Sequence, residues 1–118
     1  MKNLAPKIIR QRLLIEAKYT INVDKEIVKK FLLNLTKELN LKTYGKISIH
    51  STSGEGKQIN QGFDAFVPLI DSGISLYVWQ NEKFISCIIY SCKNFSTEKA
   101  VQFTNNFFKA KEIVHEEF

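Results

Sequence analysis

The sequence has few of the residues that build disulfide frameworks, metal sites or membrane spans. Among 118 residues there are two cysteines, two histidines and two prolines, and no apolar run approaches the ~20 residues that cross a bilayer. Cys87 and Cys92 lie on one predicted strand and point to opposite faces, which makes a disulfide between them sterically implausible. Because His50 and His115 are isolated and there is no Cys-x-x-Cys pair, we expect no bound metal.

Charge and length also limit the possible functions. The net charge of +5 comes from lysines scattered along the chain, which predicts a solvated surface and no nucleic-acid site. Residues 1–14 contain no continuous apolar segment followed by a cleavage site, so we expect a cytoplasmic protein without membrane contact. With 44% hydrophobic residues, residues 1–118 are expected to form a single domain.

A β-hairpin is the strongest local pattern, and the chain is organised around it. Apolar residues alternate from Ile74 to Trp79, and a β-branched and aromatic run follows from Phe84 to Ser91. The polar residues 80–83 between the two runs predict the turn.

The register of this hairpin brings reactive side chains together at its open end. If the residues flanking the turn are paired, Gly73 lies opposite Tyr90 and Ser72 lies near Cys92. A hydroxyl beside a glycine, a thiol across the ladder and the acid Asp71 form a plausible reaction centre. Strand composition alone can also produce this juxtaposition.

The remaining pattern predicts an α+β fold. The element order is β-α-β-β-β-β-α-β, which favours a two-layer sandwich with a mainly antiparallel sheet and two helices on one face. The other sheet face must contact water or a partner, and Tyr77 and Trp79 are candidates to lie on it. Outside the hairpin, strands are predicted at Ile8–Tyr19, Lys46–His50 and Phe63–Ile70 and near Ile113 and Val114, with Pro68 at an edge or bulge. The first helix is capped by Asn22 or Asp24, and the second by Ser96, with core phenylalanines at 103, 107 and 108. Ser51–Gly62 is predicted to be a mobile loop.

The hairpin resembles that of the prokaryotic S-adenosylmethionine decarboxylases. In that family the hairpin carries Glu-Ser-His and then His-Thr-Trp-Pro-Glu, and a cysteine follows the tryptophan at the distance that separates Trp79 from Cys92. The likeness extends to the opening strand at Leu13–Glu16, the helix after it and the ending Phe108–Lys111. The resemblance implies the family's α+β sandwich and a homodimer with sites near the interface.

The resemblance also implies a reaction. Family members are proenzymes in which a serine hydroxyl attacks the preceding peptide carbonyl, and the resulting ester breaks down to leave a pyruvoyl group. By resemblance Ser72 is the pyruvoyl precursor, Asp71–Ser72 is the scissile bond and Cys92 is the proton donor. The pyruvoyl group acts as an electron sink for decarboxylation. The implied substrate is S-adenosylmethionine or a related cationic amino acid, in polyamine (spermidine) biosynthesis.

Several positions depart from the family pattern. The histidine that removes a proton during cleavage falls at Tyr77, and a tyrosine phenol is a poor base near neutral pH. The second processing serine falls at Asp64, which could act as an alternative base. The glutamate that holds the substrate ribose falls at Asn81, with Glu82 adjacent.

These departures leave two functions open. One is a self-cleaving, pyruvoyl-dependent decarboxylase, and the other is an uncleaved, inactive homologue that acts as a ligand-binding or regulatory subunit beside an active paralogue. Simpler roles are also open: Ser72 as a turn residue, Cys92 as a small hydrophobe, and Tyr77 and Trp79 as interface aromatics.

Overall fold

The structure, a computed structural model, describes residues 1–52 and 61–118. In these residues the elements follow the order predicted from the sequence. They are β1 (Gln11–Lys18), α1 (Lys25–Glu38), β2 (Ser48–Ser51), β3 (Gly62–Leu69), β4 (Ser72–Trp79), β5 (Phe84–Ser91), α2 (Thr97–Phe108) and β6 (Glu112–Glu117).

The strands form one antiparallel sheet with the order β2-β3-β4-β5-β1-β6. Helix α1 contacts β2, β3 and β4, helix α2 contacts β1, and the two helices contact each other. Strand residues such as Leu13, Leu76 and Ile89 are fully buried in the core shared with both helices. The predicted two-layer α+β sandwich is therefore confirmed.

Both helices begin at the predicted side-chain caps. The Asp24 carboxylate accepts a hydrogen bond from the Ile27 amide at 2.9 Å, and the Ser96 hydroxyl accepts one from the Lys99 amide at 3.1 Å. Each cap satisfies an amide that has no partner within its helix. Of the two caps proposed for α1, the structure selects Asp24 over Asn22.

A cluster of phenylalanine rings joins the two helices. The Phe31 ring lies 5.9 Å from that of Phe103, 5.2 Å from that of Phe107 and 4.7 Å from that of Phe108, measured between centroids. Phe31 and Phe108 are fully buried, and Phe103 and Phe107 pack against the core. These rings therefore hold the helical layer together. The predicted core position of the α2 phenylalanines holds fully for Phe108 and in part for Phe103 and Phe107.

The sheet face away from the helices, here called the outer face, carries exposed aromatic side chains. Phe66, Tyr77 and Tyr90 are 42%, 36% and 41% exposed. They alternate along their strands with core residues, and the Trp79 and Phe84 rings pair across β4 and β5 at 5.3 Å. The prediction that Tyr77 and Trp79 lie on this face is confirmed.

The first strand is shorter than predicted. It begins at Gln11, whereas the apolar pattern suggested a start at Ile8. Ile8 and Ile9 are each 55% exposed, and the Ile8 amide donates to the Ala5 carbonyl at 3.0 Å in a local turn. Ile8 and Ile9 therefore fit the apolar pattern of a strand, but no described strand pairs with them.

The region around β2 and β3 corrects other boundaries. β2 spans 48–51, where a strand at 46–50 was predicted, and most of the predicted loop after it lies outside the described residues. Its predicted first and last residues, Ser51 and Gly62, belong to β2 and β3. Pro68 lies past the end of the β2–β3 pairing, and its carbonyl accepts from Tyr44 at 2.8 Å. β3 is thus an inner strand and not the edge strand that Pro68 predicts, but β2 ends before Pro68, so the missing proline amide removes no β2–β3 hydrogen bond.

A methyl group at Gly62 should destabilise the sheet. A Cβ atom there would lie 1.7 Å from the Val78 carbonyl oxygen, which the β4 backbone holds in place. We expect Gly62→Ala to lower the free energy of unfolding by about 1–3 kcal/mol or more, the usual cost of overpacking. Urea denaturation measures the change.

Gly73→Ala is the matched control. Its Cβ would meet the Phe66 ring at 2.5 Å, but this ring is partly exposed and can rotate away, so the loss should be smaller. Equal stability of Gly62→Ala and the wild type would contradict the close backbone approach.

Candidate functional site

A two-residue turn precedes the serine identified from the sequence. Leu69 pairs with Ser72 across the end of the β3–β4 hairpin, so Ile70 and Asp71 form the turn between them. Asp71 has φ 53°, in the left-handed region that few residues other than glycine adopt, although aspartate and asparagine tolerate it. The Asp71–Ser72 peptide bond therefore lies at a tight corner of the backbone.

Ser72 and Cys92 meet as the hairpin register predicted. Trp79 pairs with Phe84 and Gly73 with Tyr90. Beyond the last pair, the Cys92 amide donates a hydrogen bond to the Ser72 hydroxyl oxygen at 2.9 Å, and both residues are partly buried. The predicted proximity of these two residues is confirmed.

Two side chains hold the connection from β5 to α2 that contains Cys92. The Ser91 hydroxyl accepts from the Lys93 amide at 2.9 Å and donates to the Lys93 carbonyl at 2.6 Å. The Gln11 side chain accepts from the Phe95 amide at 2.9 Å and donates to the Phe95 carbonyl at 3.0 Å. No motif in the sequence marks either side chain.

A cleft of about 330 Å³ opens beside Ser72 and Cys92. Leu41 and Leu69 contribute apolar walls, and Lys42 and Lys93 add two exposed cations next to Asp71. The cleft is large enough for part of a small ligand. Its lysines favour a ligand with an anionic group.

The two cysteines lie in different surroundings. Cys87 is fully buried in the core, and burial raises the pKa of its thiol to about 12. Because the thiolate is the reactive form, Cys87 is inert near neutral pH. Cys92 is partly buried and lines the cleft, so it is the thiol available for chemistry at this site.

The two residues at the positions of the family's processing groups lie away from Ser72. Asp64 and Tyr77 pair with each other across β3 and β4, and both are exposed on the outer face. Tyr77 is five residues along the strand from Ser72, a distance of about 16 Å. Within one chain the structure does not bring these groups to the serine.

The positions predicted to bind substrate lie farther away. Asn81 and Glu82 are in the turn at the opposite end of the hairpin, about 30 Å from Ser72 by strand length. Glu82 forms an ion pair with Lys18 at 3.5 Å. A substrate bound at Ser72 of one chain cannot reach these two residues of the same chain.

Residues 1–52 and 61–118 contain no group of three or more His, Cys, Asp or Glu side chains that could hold a metal ion. Neither described helix is long and apolar enough to cross a membrane.

Comparisons with known proteins support the fold and indicate the family. The profile of the S-adenosylmethionine decarboxylase family matches residues 14–118. The crystal structure of the adenosylmethionine decarboxylase from Aquifex aeolicus VF5 superposes with a TM-score of 0.74 and 18% identity, covering 94% of this chain and 89% of that one. No curated protein matches the sequence closely enough to count as a relative. Because the family profile covers most of the chain, this protein belongs to the S-adenosylmethionine decarboxylase family.

Proposed function

We propose that this protein is a pyruvoyl-dependent decarboxylase of S-adenosylmethionine that forms by self-cleavage between Asp71 and Ser72. One observation carries the proposal: in a chain of this family, the Ser72 hydroxyl follows a tight turn and accepts a hydrogen bond from the Cys92 amide. The nucleophile and the proposed proton donor thus share one cleft. The product would serve polyamine (spermidine) biosynthesis in the cytoplasm.

The proposed cleavage uses atoms that adjoin one another in the chain. The Ser72 hydroxyl oxygen attacks the Asp71 carbonyl carbon, the Asp71–Ser72 C–N bond breaks, and an ester with a free amine results. Loss of the α-proton of residue 72 then expels the Asp71 carboxylate from the β-carbon. Water replaces the nitrogen of the resulting enamine, which leaves as ammonia, and a pyruvoyl group remains at residue 72.

The residues around Ser72 suit such a group. The pyruvoyl carbonyl supplies an electron sink when an amine substrate is bound. Lys42 and Lys93 at the cleft attract the substrate carboxylate before it departs as carbon dioxide. The Cys92 thiol then gives its proton to the carbon that has lost the carboxylate, and Cys87 is too deeply buried to take this role.

We further propose that two copies associate through their outer faces. Large hydrophobic side chains from four strands are exposed there: Phe66, Tyr77, Tyr90 and Val114. Exposed patches of this kind mark interaction surfaces. Tyr77 and Asp64 lie on this face, beyond reach of Ser72 in their own chain, so any contribution to cleavage would come from the second copy.

Cleavage can be tested by mass spectrometry under denaturing conditions. The wild type should give two fragments, residues 1–71 and 72–118, and the second should be lighter than a simple hydrolysis product by the mass of ammonia. Ser72→Ala removes the nucleophile and should stay intact. Ser75→Ala, on the same strand, should split like the wild type. A wild-type chain that remains whole would contradict the proposed self-cleavage.

The role of Cys92 can be tested separately from cleavage. We expect Cys92→Ala to slow steady-state formation of the decarboxylated product from S-adenosylmethionine by about 10²–10⁴-fold per split chain, the usual contribution of a positioned acid. Cys87→Ala is the matched control, since it removes a thiol that lies outside the cleft, and it should keep near-normal turnover. Equal rates for both variants would exclude Cys92 as the proton donor.

The proposed dimer predicts a difference between two exposed tyrosines. Tyr90 lies on the outer face, whereas Tyr44, 67% exposed, lies between α1 and β2. Because burying an unpaired charge in an interface is costly, Tyr90→Lys should convert the dimer to a monomer in light scattering. Tyr44→Lys should leave it dimeric. A monomeric wild type would contradict the interface.

A further inference from the structure

The fully buried hydroxyl of Ser91 is not part of the reaction proposed above. We propose that Ser91 is a positioning residue for self-cleavage, holding the Cys92 amide against the Ser72 hydroxyl oxygen. This inference rests on the proposed function, and it assigns a role that neither the family pattern nor the hairpin register supplied.

The contacts of Ser91 fix the backbone on both sides of Cys92. Its oxygen accepts from the Lys93 amide at 2.9 Å, and its proton goes to the Lys93 carbonyl at 2.6 Å. Ser91 itself is anchored as the last residue of β5 and is 0% exposed. Cys92 therefore lies between a strand end and a bonded residue, which leaves its amide little freedom to turn away.

The far end of the same connection is also held. Gln11, on β1, exchanges two hydrogen bonds with the Phe95 main chain at 2.9 and 3.0 Å. Residues 92–95 are thus restrained by a side chain near each end. An amide that is restrained before reaction loses little entropy in orienting toward its acceptor.

The held amide has a chemical use at Ser72. During attack the hydroxyl gives up its proton, and its oxygen must present a lone pair to the Asp71 carbonyl carbon while charge passes to the carbonyl oxygen. The Cys92 amide already donates to the Ser72 oxygen at 2.9 Å, so it fixes the orientation of the nucleophile and stabilises the alkoxide that forms as the proton leaves. Ser91 does not touch the reacting atoms and acts through this amide.

A purely structural role for Ser91 is the competing interpretation. Thr104 provides the comparison, because its hydroxyl is also 0% exposed and also donates to a main-chain carbonyl, that of Ala100 at 2.8 Å. It lies in α2, away from Ser72. Comparing variants at Ser91 and Thr104 therefore separates the loss of a buried hydroxyl from the loss of the hydrogen bonds to Lys93.

The test measures the cleavage rate of newly synthesised full-length chain. In cell-free translation followed by a chase, Ser91→Ala should split about 10- to 100-fold more slowly than the wild type. Ser91→Thr keeps the hydroxyl and should restore most of the rate. Thr104→Val should cleave like the wild type. Hydrogen exchange over residues 91–95 should be faster in Ser91→Ala than in Thr104→Val.

The possible outcomes separate this inference from the proposed function. If the wild type cleaves and Ser91→Ala cleaves equally fast, the positioning role is wrong and the decarboxylase proposal stands. If the wild type never cleaves, both fall. If Ser91→Ala does not fold, Gln11→Ala loosens the same connection from its other end. A wild-type rate in that variant overturns the inference, and a slowed rate supports it.

Discussion

The antiparallel pairing of β4 with β5 is the constraint on which the candidate site depends. A slip of one residue would turn Ile74, Leu76 and Val78 from the core to the outer face. Each buried side chain of this size contributes about 1.5–3 kcal/mol, whereas the hydrogen bond between Cys92 and Ser72 contributes ~1 kcal/mol. Burial of the apolar residues therefore sets the register, and the register brings the hydroxyl to the amide.

Much of the fold was predictable because it is encoded locally. The hairpin, the capped helix starts and the element order follow from periodicity and from single polar residues such as Asp24 and Ser96. The position of β1 between β5 and β6 was not predicted, since pairing of distant strands leaves no local pattern. For the same reason the apolar pattern predicts a strand that includes Ile8 and Ile9, although β1 begins only at Gln11.

In the candidate site, too, only the contacts between residues close in sequence were predictable. Ser72 and Cys92 could be placed together because one hairpin joins them. Gln11 hydrogen-bonds Phe95, which is 84 residues away in the sequence, and no sequence motif predicts this contact. The family resemblance assigned roles to Tyr77 and Asn81, yet the fold separates both from Ser72 along the strand. A resemblance aligns positions, and only the fold shows which of them one chain can bring together.

The strand order has a consequence for a chain cut between β3 and β4. The first piece would contain β1, β2 and β3, and the second β4, β5 and β6. Because β1 sits between β5 and β6 while β3 remains paired with β4, the two pieces would be interleaved in one sheet. Three strand pairings would have to break before they separated. Without a denaturant, a severed protein would migrate and sediment as an undivided particle.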